Sequence, residues 1–482
     1  MRRVRVIVQV TLLVAACLIV LSPAATRSGP DARLAGRDVI AQMSGWNWRS
    51  IGRECRETLG PLGYSAVQTE PPQEHSVLPD QGFPWWESYS AVSYRLDSRW
   101  GTRAELAELV RSCHSAGVQV YVNVVINNMS ALAGCGVGSA GSPYCHYSYP
   151  AVPYGDNDFH HCGTPADDIQ DYHNRYQVFN CQTFGAADLA TETDRVRDRI
   201  GGYLNDLLSL GVDGFRIDSA KYLPPADISA IERRLTRPAF VYQEVLYDYQ
   251  GPVQPQEYLA TGDVMDARYA GSLSAVFRQG RLATLHDFTS PLPSDKSVVF
   301  VANHDTVHNG STLSYADPRR YTLAHAFMLA WPYGRPKVLS DYAFTGYDEP
   351  PPSDALGRTE DSICGSGPWQ CEHSWPGIAG MVGFHAAVHD LPVADWFDDG
   401  DNLIAFGRGR TGYLIINGAR TAVTDHAFHT SLPPGNYCNV LNGPPRDGIC
   451  AGPTYQVDNA GWLHAALDPL SGIALHLGAT TR

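Results

Sequence analysis

The chain has 482 residues, 44% of them hydrophobic, with 45 glycines and 33 prolines, which excludes a disordered or fibrous chain and indicates a globular one with many turns. This length is too great for one ordinary core and fits a large barrel that carries one inserted and one appended unit. The formal charge of -14 makes nucleic acid and anionic lipid unfavourable partners.

Residues 1–24 have the pattern of a secretory signal peptide. A cationic start, MRRVR, runs into the apolar stretch VIVQVTLLVAACLIVL, and small residues follow it. Two alternatives stay open. One is a membrane anchor, for which the apolar run is near the short end; the other is lipidation at Cys17, against which the apolar LIVL after it argues. Cleavage would remove three arginines, move the formal charge from -14 to -17, and leave an extracellular protein with no membrane contact.

Cysteine usage supports export. Without Cys17 the chain keeps an even set of ten cysteines, as expected for disulfides in an exported protein. Their spacing matches no zinc pattern and does not fix the pairing. The ten are Cys55, Cys113, Cys135, Cys145, Cys162, Cys181, Cys364, Cys371, Cys438 and Cys450.

Seven short apolar runs alternate with longer amphipathic segments, which predicts an α/β fold of the (β/α)8 TIM-barrel type. Helices are expected in TRAELAELVRSCHSAG and DRVRDRIGGYLNDLLSLG, where apolar positions three and four apart end in glycine. An eighth strand is indistinct. The seven strand candidates are VIAQM near Val39, AVQT at Ala66, VQVYVNVVI from Val118, GFRI at Gly214, FVYQ at Phe240, VVFVA from Val298 and KVLS at Lys337.

Two stretches depart from this alternation. In 128–187, Gly, Pro, Tyr, His and four cysteines crowd together without helical period, which predicts an inserted domain after the third strand. In 396–482, short alternating segments such as LIAFGRG and GYLIING predict an all-β C-terminal domain, an antiparallel β-sandwich. The barrel is therefore expected to comprise 31–127 and 188–395.

Three of the predicted strands are followed by a carboxylate: Asp218 in GFRIDSAKYL, Glu244 in VYQEVL and Asp305 in VFVANHD. The active site of a barrel lies at the carboxyl ends of its strands, so the three acids should converge on one cleft. Glycosidic cleavage with retention needs such a set, because one carboxylate attacks the anomeric carbon and another protonates the leaving oxygen. One such acid alone would usually be a solvated loop residue or a helix cap; three favour a catalytic site.

At these residues the sequence resembles the alpha-amylase family of glycoside hydrolases, most of all its secreted actinobacterial and animal members. The resemblance covers nearly all of the chain after the leader, including GYSAVQTEPPQEH, WWESYSAVSYRL, DLLSLGVDGFRID, HAFMLAWPYG and the final β domain. It implies that Asp218 is the nucleophile, Glu244 the general acid/base, and Asp305 the carboxylate that holds sugar hydroxyls. Arg216, two residues before the nucleophile, would keep Asp218 ionised.

The resemblance also implies a sugar-binding surface. Trp85, Trp86 and Tyr89 fall where the family stacks aromatic rings on glucose units, and His304 takes the place of a sugar-binding histidine. Adjacent tryptophans can instead plug a core, but WW stands in a segment that indicates a loop, and the apolar faces of sugars suit aromatic platforms.

Five further positions near the site are compared with the family. Lys221 and Tyr222 match the leaving-group side, with Tyr222 in place of the commoner histidine. Asn123 and Asn128 replace an aspartate and a sugar-binding histidine of the third strand, Ala302 replaces the aspartate before NHD, and the Gly-rich loop after NHD is shortened to TVHNGST. Asn128 is expected either to reach the sugar through water or to bond backbone groups of the inserted domain. These changes could shift the rate or the pH optimum.

Calcium in the family lies between the barrel and the inserted domain. The matching residues are Asn127 and Asp188 through their side chains, and Phe179 and Tyr222 through their backbone carbonyls. Ligation by oxygen alone suits calcium. Considered by itself, Asn127 would be an ordinary turn residue.

Some members of the family bind chloride through an arginine, an asparagine and a further basic residue. Arg216, Asn303 and Lys337 match these three positions, which implies a chloride site near Glu244. The alternative for Lys337 is a simple surface cation.

The sequence therefore predicts a secreted, monomeric, retaining endo-hydrolase of alpha-1,4-glucosidic bonds, with an alpha-glucan as its partner, calcium as cofactor and chloride as a second ion. One alternative is a related exo-acting or transglycosylating alpha-glucan enzyme. The other is a catalytically impaired glucan-binding homologue, motivated by Asn123, Asn128 and Ala302.

Overall fold

The computed structural model describes residues 37–481; the predicted signal peptide, 1–24, and the first residues of the predicted barrel lie outside them. The strands of the described part are, in chain order, β1 (Ile40–Met43), β2 (Ala66–Thr69), β3 (Gln119–Val124), β4 (Cys135–Val137), β5 (Pro143–Cys145), β6 (Gly214–Ile217), β7 (Phe240–Gln243), β8 (Asp263–Met265), β9 (Ser297–Phe300), β10 (Arg335–Ser340), β11 (Val393–Asp398), β12 (Leu403–Arg408), β13 (Gly412–Asn417), β14 (Val423–His429), β15 (Gly435–Cys438), β16 (Thr454–Val457), β17 (Trp462–Leu467) and β18 (Ser471–His476).

Eight parallel strands close into a barrel in the order β1-β10-β9-β8-β7-β6-β3-β2. Their residues are nearly all buried, because helices cover the outside of the barrel and side chains fill its inside. The register places Asn123 of β3 and Tyr242 of β7 on either side of Arg216 of β6. The predicted (β/α)8 barrel is confirmed.

Both helices predicted from the sequence begin after a capping threonine, Thr102 and Thr193. In the first predicted helix, Thr102 accepts a hydrogen bond from the backbone of Glu105, whose side chain accepts one from the Thr102 backbone, a capping box. The α-helices are α1 (Trp48–Glu54), α2 (Gly60–Leu62), α3 (Arg103–Ser115), α4 (Arg175–Asn180), α5 (Asp194–Ser209), α6 (Pro225–Glu232), α7 (Ala267–Gln279), α8 (His304–His308), α9 (Pro318–Ala330) and α10 (Pro376–Val388), with a π-helical turn, Cys55–Leu59, between α1 and α2.

All seven predicted strands belong to the barrel, each within two residues of its predicted bounds. The indistinct eighth strand is β8, which lies between β7 and β9. It has three residues, DVM, too few to show a period in the sequence.

The segment between β3 and α5 holds only a two-stranded sheet, β4 with β5, short 3₁₀ turns and α4. Its two ends run side by side, because the backbone N–H of Met129 donates to Ala187 O (2.9 Å) and that of Leu189 to Asn127 O (2.9 Å). The segment therefore leaves the barrel and returns to it at one place, directly after the strand that carries Asn123.

The C-terminal part forms two antiparallel four-stranded sheets, ordered β11-β12-β13-β18 and β14-β17-β16-β15. One core lies between the two sheets. The predicted β-sandwich is confirmed, with its first strand beginning at Val393, three residues before the predicted domain start. Strands β12 and β13 are buried on both faces, because the first sheet also packs against barrel helices.

All ten cysteines of the predicted set are paired, which confirms the expected disulfides. No helix among residues 37–481 is long and apolar enough to span a bilayer. The pairs are Cys55–Cys113, Cys135–Cys145, Cys162–Cys181, Cys364–Cys371 and Cys438–Cys450.

Candidate active site

Three carboxylates lie at the carboxyl ends of barrel strands. Asp218 directly follows β6, Glu244 directly follows β7, and Asp305 lies in the first turn of α8, which follows β9. Asp218 and Glu244 are almost completely buried, whereas the Asp305 side chain is 40% exposed. The barrel thus brings two enclosed acids and one open acid to the same end.

The guanidinium of Arg216 joins two of these acids. It is completely buried; its Nη1 forms an ion pair with Asp218, and its Nη2 lies 2.8 Å from Glu244 Oε1. Nη1 also donates to Asn123 Oδ1 (3.0 Å). The second Glu244 oxygen accepts from the backbone N–H of Ser219 (2.9 Å). Both oxygens of Glu244 are therefore in contact with donors, and Asp218 and Glu244 share a single cation.

Burial raises the pKa of Asp218, to about 7, and the charges of Glu244 and Asp305 act in the same direction, while Arg216 lowers it. Desolvation by the surrounding protein also raises the pKa of Asp305, although its side chain is 40% exposed. The expectation that Arg216 keeps Asp218 ionised stays a prediction: the arginine lowers the pKa of Asp218, and desolvation opposes it.

His304 is held as a neutral imidazole beside Asp305. Burial lowers its pKa well below the ordinary value. Its Nδ1 lies 2.7 Å from Gln42 Nε2, and its Nε2 lies 3.1 Å from Tyr89 Oη and 3.3 Å from Asp305 Oδ2. The ring stacks on that of Tyr89, with centroids 5.5 Å apart. A neutral histidine in this position can exchange hydrogen bonds with a sugar hydroxyl.

The segment WWESY is a 3₁₀ turn, Trp85–Tyr89, rather than the expected loop, and its two tryptophans differ. Trp86 and Tyr89 line a cleft of about 430 Å³ that Asp218 also lines. Trp85 is only 9% exposed and stacks on His308 at 4.7 Å. Trp85 is therefore a plug, as one interpretation expected, whereas Trp86 has the position in the cleft that the platform interpretation requires.

Two aromatic residues of the same cleft were not identified from the sequence: Phe184, in the inserted segment, and Tyr347, between β10 and α10. Both side chains are exposed, 86% and 54% respectively. The glycine after Phe184 was a usable signal, since glycine in an irregular stretch indicates a tight turn. No local pattern marks Tyr347 as a cleft residue.

Lys221 and Tyr222 lie in a 3₁₀ turn, Ala220–Tyr222, that follows the nucleophile candidate. The backbone N–H of Lys221 donates to Glu244 O (3.1 Å). Burial lowers the pKa of Lys221 and raises that of Tyr222 to about 12. The turn thus sits against both Asp218 and Glu244.

Asn128 lines the cleft, but its side-chain amide donates to the carbonyl of Met129 (2.9 Å). This is the local backbone bond that the second interpretation of Asn128 expected. Asn123 instead lies below the cleft, where it accepts from Arg216 and donates to Tyr89 Oη (3.0 Å). Ala302 is completely buried.

Each of the four residues matched to a calcium site has an oxygen that could ligate the ion: the amide oxygen of Asn127, the carboxylate of Asp188 and the backbone carbonyls of Phe179 and Tyr222. Asp188 is buried, accepts from Asn127 Nδ2 (3.2 Å), and lies 2.7 Å from His160 Nδ1. Burial raises its pKa to about 7, a cost that a cation would offset. The helix that carries Phe179 packs against the turn that carries Tyr222. A buried carboxylate with an amide and two carbonyls fits calcium.

Another group with metal-ligand chemistry lies elsewhere in the described residues: Glu54, Cys364 and His373, whose ligand atoms lie within 4.8 Å of one another. Cys364 is bonded to Cys371, which removes the thiolate that a metal would need.

Of the residues matched to a chloride site, Lys337 is completely buried in β10, so the alternative of a surface cation is wrong. Its Nζ donates to Gln68 Oε1 (3.3 Å), and burial together with Arg216 lowers its pKa to about 7. Arg216 Nε is buried without a hydrogen-bond acceptor among residues 37–481. Asn303 is buried and caps α8. Two buried cations with an unused donor fit a small anion.

Comparisons with known proteins agree with this geometry. The model of the alpha-amylase catalytic domain matches residues 85–260, and the model of the alpha-amylase C-terminal all-beta domain matches residues 394–478. An alpha-amylase of Thermomonospora curvata is 45% identical over 457 residues, which cover 92% of this chain and 74% of that protein. An alpha-amylase-related protein of Drosophila auraria is 38% identical, with 92% and 94% covered.

Solved structures give the same result. The crystal structure of alpha-amylase I from Eisenia fetida matches with a TM-score of 0.87 and 34% identity over 92% of this chain and 97% of that one. A mutant of the same enzyme in a complex with maltohexaose matches with a TM-score of 0.87 and 35% identity. Identity of 45% along 92% of the chain is far more than a shared barrel requires, and we conclude that this chain is a glycoside hydrolase of the alpha-amylase family.

Proposed function

We propose that this chain is an exported, retaining alpha-amylase that hydrolyses internal alpha-1,4-glucosidic bonds of starch- or glycogen-type glucans. The observation that carries the proposal is the sharing of one buried guanidinium, Arg216, by Asp218 and Glu244. Two carboxylates on neighbouring nitrogens of one arginine lie close together. Retaining glycosidases need such a short separation, because the second carboxylate attacks the sugar directly and no water stands between.

The roles of the acids are those that the resemblance to the family implies. Asp218, paired with Arg216 at the cleft, is the nucleophile, and Glu244, in its protonated form, delivers the proton to the leaving oxygen and later activates water. Asp305, 40% exposed, is free to bind sugar hydroxyls beside His304.

An alpha-glucan substrate is supported by the cleft and by the charge of the molecule. Trp86 and Tyr89 offer aromatic faces beside Asp218, and apolar sugar faces pack on such rings. The formal charge of -14 does not hinder a neutral polymer. The maltohexaose complex of the Eisenia fetida enzyme agrees with this substrate class.

The decisive assay follows hydrolysis of maltohexaose and soluble starch by the purified chain. Proton NMR at early times should show the alpha anomer as the first product, and starch viscosity should fall faster than reducing ends appear, as internal cleavage requires. Asp218→Asn and Glu244→Gln should each remove nearly all turnover. A beta anomer as first product, or near-normal turnover in either variant, overturns the mechanism. If all early products have the size of maltose, the exo-acting alternative is favoured instead.

The impaired glucan-binding homologue stays the second candidate, because Asn128 bonds Met129 rather than pointing freely into the cleft. It predicts maltohexaose binding without turnover. The same assay separates the two candidates.

Calcium at Asn127, Asp188, Phe179 and Tyr222 belongs to this proposal, as a structural ion that ties the inserted segment to the barrel. The proposal also includes three domains: a barrel of 31–127 and 188–395, an inserted domain and a C-terminal domain. It further includes export through the signal peptide 1–24 and a monomeric state. Five disulfides favour an oxidising compartment.

We also propose a chloride site at Arg216, Asn303 and Lys337, because the buried Nε of Arg216 has no hydrogen-bond acceptor among residues 37–481. An anion there would favour the protonated, proton-donating form of Glu244. Chloride should therefore raise activity toward neutral and alkaline pH, and Lys337→Ala should remove that response.

A further inference from the structure

Two exposed aromatic rings lie on the wall of the cleft, and each is presented by a short turn. Phe184 comes from the inserted segment and Tyr347 from the connection between β10 and α10. Together with Trp86 they line the cleft that contains Asp218. Exposed rings of this size cost free energy in water, so their convergence on one cavity calls for a ligand.

Phe184 is held in a conformation that only a tight turn explains. Phe184 and Gly185 both have positive φ, 54° and 72°. The turn is closed by the N–H of Ala186, which donates to Thr183 O (3.0 Å), and by Gly185 N–H, which donates to Asp168 Oδ1 (3.0 Å). Left-handed backbone is unfavourable for a bulky residue. Strain of this kind combined with 86% exposure points to a functional ring.

Hydrogen bonds from neighbouring side chains hold the backbone of Tyr347 in place. The indole N–H of Trp85 donates to Tyr347 O (2.8 Å), and His308 Nδ1 donates to the same oxygen (2.9 Å). The indole N–H of Trp86 donates to Asp348 Oδ1 (2.7 Å). The tyrosine ring itself stays 54% exposed.

The turn that carries Tyr347 is also closed from within. Glu349 Oε2 accepts from Thr345 N (2.7 Å), Thr345 Oγ1 (2.8 Å) and Gly346 N (3.2 Å), and the backbone oxygen of Glu349 accepts from Tyr342 Oη (2.7 Å). A ring on a backbone with so many bonds loses little freedom when a ligand packs against it.

We infer that Phe184 and Tyr347 form an aromatic glucose-binding subsite beside Asp218, and that the indole N–H groups of Trp85 and Trp86 position Tyr347. The inference rests on the proposed function for the nature of its ligand, an alpha-linked glucose unit. It gives Trp85, which has almost no exposed face, a role through its N–H, and it adds a second role to Trp86, whose ring also lines the cleft.

Binding of maltohexaose to Asp218→Asn protein, measured by titration calorimetry, tests the subsite without turnover. Tyr347→Ala and Phe184→Ala should each weaken binding about three- to tenfold, the effect of losing one aromatic contact. Tyr347→Phe keeps the ring and should bind within about twofold of the parent. Trp86→Phe keeps a ring but loses the bond to Asp348, and should weaken binding about two- to threefold.

The matched control is Trp462→Ala, an exposed aromatic residue of β17 in the C-terminal sheet, which should leave binding unchanged. Phe184→Gly separates a functional from a structural ring: it relieves the positive φ, so the melting temperature should not fall while binding weakens. Parent-like binding by both Tyr347→Ala and Phe184→Ala overturns the inference, as does a lower melting temperature of Phe184→Gly with unchanged binding.

A different measurement tests the proposed function: if the unmodified enzyme does not hydrolyse starch, the proposed function fails. Failure of the subsite appears only in the aromatic variants. If the parent does not bind maltohexaose at all, the inference fails with it.

Discussion

Arg216 determines the electrostatics of the site at the residue scale. It is buried between Asn123 and Tyr242 on neighbouring strands and contacts both Asp218 and Glu244. An arginine remains charged under such burial, so it gives a fixed positive charge to two acids that must differ in protonation during catalysis. Asn123 is neutral and adds no third anion to the contacts of this arginine.

Asp218→Asn should stabilise the fold while it removes activity. The pKa of Asp218 is about 7 in the folded protein and ~3.9 in an unfolded chain, so the folded state prefers the protonated form. Stability from this group is fully present below about pH 4, is lost as pH rises to about 7, and stays lost above it. The variant should therefore melt higher than wild type at pH 8, with a difference that shrinks toward pH 4.

Calorimetry at the two pH values checks this prediction. Asp425→Asn, at an exposed carboxylate, is the control and should show no such trend. Equal melting differences at pH 4 and pH 8 would contradict the raised pKa.

Asn128→His tests the departure from the family at the third strand. Since the Asn128 amide already bonds Met129 O, an imidazole has to leave that carbonyl without its donor. We expect no gain in kcat/KM on a maltooligosaccharide. The melting temperature should fall, because the lost hydrogen bond lowers the free energy of unfolding by about 1 kcal/mol. A two- to tenfold gain in kcat/KM would instead show that a sugar contact had been restored.

At the scale of elements, the inserted segment depends on features outside its own sequence. The inserted segment has little regular structure and two disulfides, Cys135–Cys145 and Cys162–Cys181, so its position depends on the places where its ends meet the barrel. Asp188 stands at one of these ends and Asn127 at the other. An ion between them would fix the segment that supplies Phe184.

Chelation of calcium should therefore lower the melting temperature. An ion that binds only the folded state contributes about 2.7 kcal/mol when its free concentration is 100 times Kd. Asp188→Asn and Asn127→Ala should melt like the chelated enzyme and stop responding to calcium. Asp156→Asn, an exposed carboxylate of the same segment, should keep the full response. A chelator-insensitive melting curve with no calcium in the purified protein removes the site.

At the scale of the whole molecule, the first C-terminal sheet has two buried faces. Along β12, Leu403 and Ala405 face the second sheet, whereas Ile404 and Phe406 face the barrel, as the two-residue period of a strand requires. The Phe406 ring packs edge-on against Phe327 and Trp331 at the end of α9. Barrel and sandwich therefore share apolar contacts.

Phe406→Ala should destabilise the molecule by about 3–5 kcal/mol, the usual cost of truncating a buried phenylalanine. Because the contacts are shared, loss of activity and loss of tryptophan fluorescence should still coincide in denaturant. Trp462→Ala, at an exposed residue of the second sheet, should cost little. Separate transitions for activity and fluorescence in the wild type would show that the two parts unfold independently.

Local patterns in the sequence determined the barrel and the positions of the three acids. Strand and helix periods, capping residues and glycine stops act over a few residues, so the strands before Asp218 and Glu244 were predicted within two residues of their bounds. An even cysteine set likewise predicted disulfides. The barrel rule then placed Asp218, Glu244 and Asp305 at one end without any contact being known.

The tertiary structure decided everything that depends on distant neighbours. It made Lys337 a buried cation, because β10 turns that side chain into the barrel. It made Trp85 a donor to Tyr347 O across a large separation in the chain, and it brought Phe184 to the same cleft. It also raised the pKa of Asp218 above its ordinary value. Burial and long-range pairing are properties of the folded chain, and no local period encodes them.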